Sequence, residues 1–396
     1  LRVKDNAGRE YLDLFGGILT VSIGHGHPVI SDAVCRQIEK IVHTSTCYLN
    51  EPMVNLACRL AEITPGRLQK TFFTNSGTEA IETAVQAARS YTGNNEVIAL
   101  RHSYHGRSQV AAALTGNATW RNLSNLPGIT YAHNGYCFRC AFRLTYPACG
   151  VACAHDLEEL IKTTTTGKNA AFIAEPIQGV GGFVTPPPEY FKVAVEIVRR
   201  HGGVFICDEV QTGFGRTGGK LFGIEHWGVE PELMVFAKGL ANGWPIGATI
   251  AVPEVADAFA SSSISTFGGN PVSMTAGLAT LEVITSTALP AHVAKMGTVL
   301  RKGLDLLADR WSCIGEVRGK GLMIGIELVE EDKRPAVDLT ARFLERAREE
   351  GLLVGRGGLY GNVIRLTPPM TIGEEEVGEA LDKLGRVVRR LSAAGA

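Results

Sequence analysis

The sequence predicts an α/β fold: a large domain with a mainly parallel central sheet flanked by helices, joined to a smaller α+β domain. Through the middle of the chain, short apolar runs alternate with stretches of helical periodicity, the pattern of strands linked by parallel crossovers. The 396 residues are 45% hydrophobic, which fills a large core and, at roughly 150 residues per domain, allows two or three domains. From about Leu289 the pattern changes to helix, strand, helix, strand, helix, which suits a smaller α+β unit. These shifts divide the chain into 1–49, 50–288 and 289–396.

Taken in order, Leu1 to Leu14 read as two short segments around the polar turn Asp5-Asn6-Ala7-Gly8. Gly16, Gly17 and the loop Gly24-His25-Gly26-His27-Pro28 follow, then a helical pattern from Ser31 to about Val42. His25 and His27 have metal-ligand spacing, but no third ligand is nearby and a turn before Pro28 explains them better. Candidate strands of the large domain are Lys70 to Phe73, Glu96 to Leu100, Ala170 to Ala174, Val204 to Cys207, Leu233 to Ala237 and Gly247 to Val252. Gly321 to Leu328 and Val363 to Leu366 are the candidate strands of the last block.

Composition excludes several functions. With 39 Lys+Arg against 40 Asp+Glu and no basic run, nucleic acid is not expected as a partner. No segment reaches the roughly 18 to 20 apolar residues of a membrane span; the most apolar, Ala170 to Val184, is broken by Glu175 and Gln178. The first residues carry no signal-peptide pattern, although a chain without an initiating Met leaves a removed leader open. Nine Cys, an odd number, suggest a reducing compartment, and the expected location is cytoplasmic.

Ligands of open α/β sheets bind beyond the carboxyl ends of the strands, so the chemistry is sought there. After Phe73 comes Asn75-Ser76-Gly77-Thr78-Glu79-Ala80. Ser76 and Glu79 form a capping-box pattern, and a helix start with free N–H groups holds a phosphate, though a plain helix cap has the same sequence. Val204 to Cys207 ends in Asp208-Glu209-Val210-Gln211, where an acid in an apolar setting can pair with a cationic ring nitrogen. The next residues, Gly213 to Gly218, satisfy G-x-G-x-x-G; a dinucleotide site is rejected because no amphipathic helix follows and Asp208 and Glu209 would repel a pyrophosphate. Leu233 to Ala237 ends in Lys238, where desolvation favours the free amine that a Schiff base requires. Tyr104, in Ser103-Tyr104-His105-Gly106-Arg107, offers an aromatic face with Arg107 nearby for an anion. Arg365 lies within an apolar strand and needs a carboxylate partner, structural or from a substrate.

Taken together, these segments resemble the class III, fold-type I aminotransferases, which use pyridoxal 5′-phosphate (PLP). NSGTEA at 75–80, YHGR at 104–107, AEPIQG at 174–179, DEVQTGFGRTG at 208–218, AKG at 237–239, TFGGNP at 266–271 and RLTPP at 365–369 occur in family order along essentially the whole chain. By that resemblance Lys238 is the Schiff-base lysine and moves the substrate proton, and Asp208 keeps the pyridine nitrogen protonated. Ser76, Gly77 and Thr78 hold the phosphate, Tyr104 and Val210 cover the two ring faces, and Gln211 lies near the phenolic oxygen. The resemblance also implies a small domain built from both chain ends and a homodimer or dimer of dimers with shared sites, in which Thr266 completes the neighbouring phosphate site. Arg365 resembles the switch arginine that binds a substrate carboxylate.

Two departures narrow the resemblance. Ornithine- and 4-aminobutyrate-type members follow AEPIQG with a Glu that neutralises the switch arginine; here the residue is Val180. With apolar Ile18 as a second substrate-side residue, this resembles the alanine–glyoxylate and amine:pyruvate transaminases, and it disfavours ω-amino donors with 2-oxoglutarate. An aminomutase, racemase or amine phospho-lyase on the same scaffold is the alternative, because the cofactor residues do not decide which bond breaks. The second departure is Cys137-x2-Cys140-x8-Cys149-x3-Cys153. A structural zinc, a disulfide and simply buried thiols all fit this spacing, so no metal ligand is assigned from sequence.

Overall fold

The computed structural model describes residues 1–121, 126–259 and 261–393. Its strands are β1 (Arg2–Lys4), β2 (Glu10–Asp13), β3 (Lys70–Thr74), β4 (Val97–Leu100), β5 (Ile129–Ala132), β6 (Ala171–Ala174), β7 (Val204–Asp208), β8 (Leu233–Phe236), β9 (Gly247–Ala251), β10 (Ile314–Lys320), β11 (Met323–Leu328), β12 (Leu352–Leu353), β13 (Gly355–Gly357) and β14 (Val363–Leu366). They form three sheets.

The central sheet has the order β3-β9-β8-β7-β6-β4-β5 and is parallel except for β9, which runs antiparallel to both neighbours. Every residue of β4, β6, β7, β8 and β9 is buried, which is why these strands read as continuous apolar runs. Helices cover the sheet through apolar stripes. Helix Tyr190–Arg200, for example, buries Tyr190, Phe191, Ala194, Val195, Ile197 and Val198. There Phe191 meets Phe205 of β7, which stacks on Phe172 of β6 at 5.7 Å.

An antiparallel sheet β10-β11-β14-β13 carries the helices Leu289–Arg310, Val337–Glu349 and Glu374–Ala393. A third, small sheet pairs the N-terminal hairpin β1-β2 with β12, aligning Leu12 with Leu352, so the two ends of the chain meet. The structure adds β5, β10, β12 and β13 to the strands expected from sequence. β10 (IGEVRGK) mixes charges and glycines, and β12 and β13 are two and three residues long, too short for a periodic signal. The helix expected from Ser31 begins at Pro28, with His27 at the position before it, and ends at Lys40. Among the described residues no single helix is long and apolar enough to cross a membrane.

Candidate active site

Strands β3, β4, β6, β7 and β8 all point the same way, so their carboxyl ends open on one edge of the sheet. A cavity of about 220 Å³ lies there, lined by Ser76, Gly77, Thr78, Tyr104, His105, Gly106, Arg107, Glu175, Asp208, Val210, Gln211, Ala237 and Lys238.

Past β3, the Ser76 hydroxyl caps helix Gly77–Thr92 by accepting the Glu79 amide at 3.4 Å. The Glu79 carboxylate reaches back to the Asn75 amide at 2.7 Å and the Ser76 hydroxyl at 3.1 Å, so the return bond lands one residue before the cap. The first amides of the helix have no intrahelical acceptor, and the helix dipole adds partial positive charge, which together suit a phosphate. Thr78 ties this end to the loop after β4: its hydroxyl accepts the amides of Arg107 (3.2 Å) and Ser108 (3.0 Å) and lies 2.6 Å from the Ser108 hydroxyl. Gly106 permits the approach, since its φ is 141° and a Cβ there would stand 2.5 Å from Thr78 Oγ1.

Asp208 is the last residue of β7 and is 4% exposed. Its Oδ2 lies 2.7 Å from His105 Nδ1, and its Oδ1 accepts the Val210 amide at 3.1 Å. His105 Nε2 is buried and has no hydrogen-bond partner among the described residues. Glu175, just past β6, accepts the amides of Tyr104 (3.0 Å) and Gly179 (2.8 Å). Burial pushes its pKa up to about 7, opposed by His105 and reinforced by Asp208. Glu209 turns away and accepts the amides of Gly223 (2.9 Å) and Ile224 (2.8 Å). The glycine run from Gly213 to Gly218 forms turns with no α-helix after it, as the rejection of a dinucleotide site requires.

Lys238 opens the 3-10 turn Lys238–Leu240 two residues after β8, at a φ of 41°. Such a backbone is rare for a residue with a side chain and persists where the surroundings impose it. Desolvation lowers the Lys238 pKa to about 8; Asp208 opposes this, Arg365 adds to it and Glu175 opposes it. The amine therefore sits much closer to its neutral, nucleophilic form than a solvated lysine does. Tyr104 stands edge-on to Trp120, with centroids 5.4 Å apart. Val210 underlies Gly77, where a Cβ would touch Val210 Cγ2 at 3.4 Å. Gln211 Oε1 is buried without a partner among the described residues, and any side chain at Gly179 would overlap it.

Arg365 comes from β14 and is 5% exposed. Its Nε donates to the Arg356 carbonyl (3.1 Å) and its Nη1 to the Gly179 carbonyl (3.4 Å), while its guanidinium lies 5.0 Å from the Phe15 ring and 5.7 Å from Phe183. Burial lowers its pKa to about 10. Among the described residues no carboxylate forms an ion pair with it, and Val180 beside it is buried.

Arg365 does not itself line this cavity, and two further expected residues are not drawn into it. Ile18 is 46% exposed on the turn Gly16–Leu19, where left-handed backbone runs from Gly16 to Leu19; the turn presents Phe15 to Arg365 and sends Ile18 outward. Thr266 is exposed on the loop before helix Pro271–Ser286. His25 pairs with Asp13 at 2.8 Å, as a turn residue does. His105, Glu175, Phe15 and Phe183 were not assigned from sequence. His105 and Glu175 lie inside the YHGR and AEPIQG segments, and the available signal was a polar residue set just past an apolar strand.

The family model described as aminotransferase class-III matches residues 1–388. The chain belongs to the class III aminotransferases. It is 41% identical over 384 residues to alanine–glyoxylate aminotransferase 2 homolog 2, mitochondrial, of Arabidopsis thaliana, covering 96% of this chain and 80% of that protein. The human alanine–glyoxylate aminotransferase 2, mitochondrial, is 38% identical, with 96% and 78% covered. Among solved structures, an amine transaminase from an uncultivated Pseudomonas species in its PLP-bound form superposes with a TM-score of 0.93 at 32% identity, covering 98% of this chain and 93% of that one.

As a class III aminotransferase the protein has the fold-type I architecture, uses PLP and is a transaminase. The cavity fits that cofactor. It offers a desolvated lysine, a helix start for a phosphate, an oriented carboxylate, and a buried Gln211 oxygen without a hydrogen-bond partner among the described residues.

Proposed function

We propose that this aminotransferase takes the amino group from alanine or an ω-amine type donor and passes it to pyruvate or glyoxylate in ping-pong order. The observation that carries this reading is Arg365: among the described residues its buried guanidinium bonds two carbonyls, lies beside two aromatic rings and forms no ion pair with a carboxylate, Glu175 acting on it only through space, and the position after Gly179 is Val180. A small substrate carboxylate completes it. The relatives named for alanine and glyoxylate support the pair.

When bound, PLP supplies an aldehyde for the incoming amine and a ring that takes up the Cα electron pair. Ser76, Gly77 and Thr78 would hold its phosphate at the helix start, and Asp208, oriented by His105, would hold the proton on the ring nitrogen. Lys238 Nζ accepts the proton from the substrate Cα, a role its lowered pKa suits. Tyr104 and Val210 would face its ring from the cavity walls, and Gln211 would offer it a polar contact. Phe15 and Phe183 keep water from Arg365, which strengthens its pairing with a carboxylate. Ile18 remains assigned to the outer, substrate-entry side.

The assembly read for this chain is a homodimer or dimer of dimers with shared sites, each chain's Thr266 closing its neighbour's phosphate site. An exposed apolar patch of Ile38, Val42, Trp244 and Phe267 supports this. Domain limits of 1–49 with 289–396 for the small domain and 50–288 for the large one are consistent with the sheet that joins both ends. Nine free cysteines favour the cytoplasm. Steady-state assays of alanine with glyoxylate or pyruvate, against ornithine or 4-aminobutyrate with 2-oxoglutarate, test the substrate reading. The first group is expected to show the higher kcat/KM, and the reverse order would overturn it.

A further inference from the structure

Strand register sets two buried arginines in one row of the antiparallel sheet. Arg318 of β10 pairs with Gly325 of β11, Gly325 with Arg365 of β14, and Arg365 with Gly355 of β13. Partners in such a row point to the same face, so both guanidiniums rise from that face, separated by two strand spacings of about 4.8 Å each. Between them Gly325 leaves the sheet bare. A Cβ there would stand 3.1 Å from the Gly182 carbonyl oxygen and 3.5 Å from Phe183 Cβ, so the segment that follows β6 lies directly on the row. That segment is a tight turn, closed by the Gly182 amide on the Gly179 carbonyl (3.1 Å) and the Phe183 amide on the Gln178 carbonyl (2.8 Å). Each arginine holds one end of it: Arg318 Nε donates to the Gly182 carbonyl at 2.8 Å, and Arg365 Nη1 to the Gly179 carbonyl at 3.4 Å.

The two arginines differ in charge balance. Arg318 Nη1 meets Glu327 and Glu316, each at 2.5 Å, and its guanidinium lies 4.9 Å from the Tyr136 ring. Glu327, fully buried on β11, also accepts Arg139 Nε (2.5 Å), Asn362 Nδ2 (3.2 Å) and the Tyr136 hydroxyl. Burial opposes the charge of Glu327, but Arg318, Tyr136 and Arg139 outweigh it and hold its pKa below the ordinary carboxylate value. Arg318 is therefore occupied by protein acids, whereas Arg365 bonds only carbonyls among the described residues and is open to a substrate.

We propose that Arg318, locked by Glu327, is a positioning residue: it pins the turn at 178–183 to the sheet, and the turn sets Arg365 for the substrate carboxylate. The proposal rests on the reading of Arg365 as the carboxylate site. A buried ion pair is a weak source of stability, because desolvation offsets much of its attraction; what this one supplies is direction. Two acids fix the Arg318 fork, its Nε fixes the Gly182 carbonyl, and the bond that closes the turn carries that constraint back to Gly179. Without this hold, the Gly179 carbonyl and the Phe183 ring, 5.7 Å from the Arg365 guanidinium, would shift together. Misplacing a positioning group by about 1 Å can cost on the order of 100-fold in rate.

The test uses PLP-loaded, full-length protein and the donor half-reaction, with L-alanine and with a primary amine that has no carboxylate. Arg318→Met/Glu327→Met removes both charges together, so neither member of the pair is left buried alone. It should lower kcat/KM for alanine about tenfold or more, mainly as a rise in KM, with the amine value and bound PLP nearly unchanged. Gly325→Ala keeps both charges and sets a methyl group against the Gly182 carbonyl; it should show the same selective loss, and it decides the matter if the double variant fails to fold. Added to Arg365→Leu, neither change should lower the alanine value further, because effects that act through one interaction do not add. Equal losses for both donors, or an unchanged alanine value, while Arg365→Leu alone stays selective, would overturn the positioning role and leave the reading of Arg365 intact. An Arg365→Leu variant without selective loss for alanine would overturn both.

Discussion

Replacing Arg365 with Leu separates recognition of a carboxylate from the rest of the chemistry. In the structure the guanidinium spends one donor on the Arg356 carbonyl at 3.1 Å and a long 3.4 Å contact on the Gly179 carbonyl. Among the described residues no carboxylate is paired with it and has to be displaced, so a substrate carboxylate gains the full value of its bonds. Two charge-assisted hydrogen bonds at about 1.5 kcal/mol or more each give about 3 kcal/mol, a loss on the order of 100-fold in kcat/KM. The assay compares L-alanine with a primary amine that has no carboxylate, both against pyruvate and each followed as the donor half-reaction. Arg365→Leu should lower the alanine value by that factor and leave the amine half-reaction nearly unchanged. Equal losses for both donors, with bound PLP intact, would refute the reasoning, as would no loss for alanine.

The remaining predictions concern the cofactor side. In the cofactor-free protein, Lys238 with a pKa of about 8 binds fewer protons than the unfolded chain does up to its ordinary 10.5. Its contribution to stability therefore rises with pH through that window and is lost below it, by up to roughly 3 kcal/mol. Urea unfolding of Lys238→Met should lack this slope, and parallel pH profiles for variant and parent would contradict the burial. His105→Leu removes the 2.7 Å partner of Asp208; a charged hydrogen bond of about 1.5–3 kcal/mol corresponds to tenfold or more weaker PLP binding by titration. Gly179→Ala puts a methyl group onto Gln211 Oε1 and should cost about 1–3 kcal/mol; an unchanged melting temperature would show that Gln211 moves freely.

Much of the site was readable because a strand buried on both faces announces itself as an apolar run, and whatever polar residue follows it stands at the sheet edge. Lys238 and Asp208 stand at the ends of such runs, while Ser76 follows β3, buried only at Phe73 and Thr74, and the structure gathers all three around one cavity. The direction of β9 was not readable, because a buried strand has the same composition whichever way it runs. The bond between His105 and Asp208 spans 103 positions, and neither residue's local pattern points to the other. Phe15 and Phe183 likewise gain their meaning only where they bracket Arg365. Ile18 sits exposed on a turn of left-handed backbone, which periodicity does not encode.

The central claim is that Lys238 makes this cavity a transaminase site, and a single-turnover reaction tests it most directly. PLP-loaded protein is mixed with L-alanine in the absence of any oxo acid, and the cofactor absorbance and released pyruvate are followed together. The account predicts loss of the aldehyde-form absorbance with about one pyruvate per site, and neither change in Lys238→Ala that still holds PLP. Unconverted cofactor in the parent protein, or the same conversion at the same rate in the variant, would contradict it.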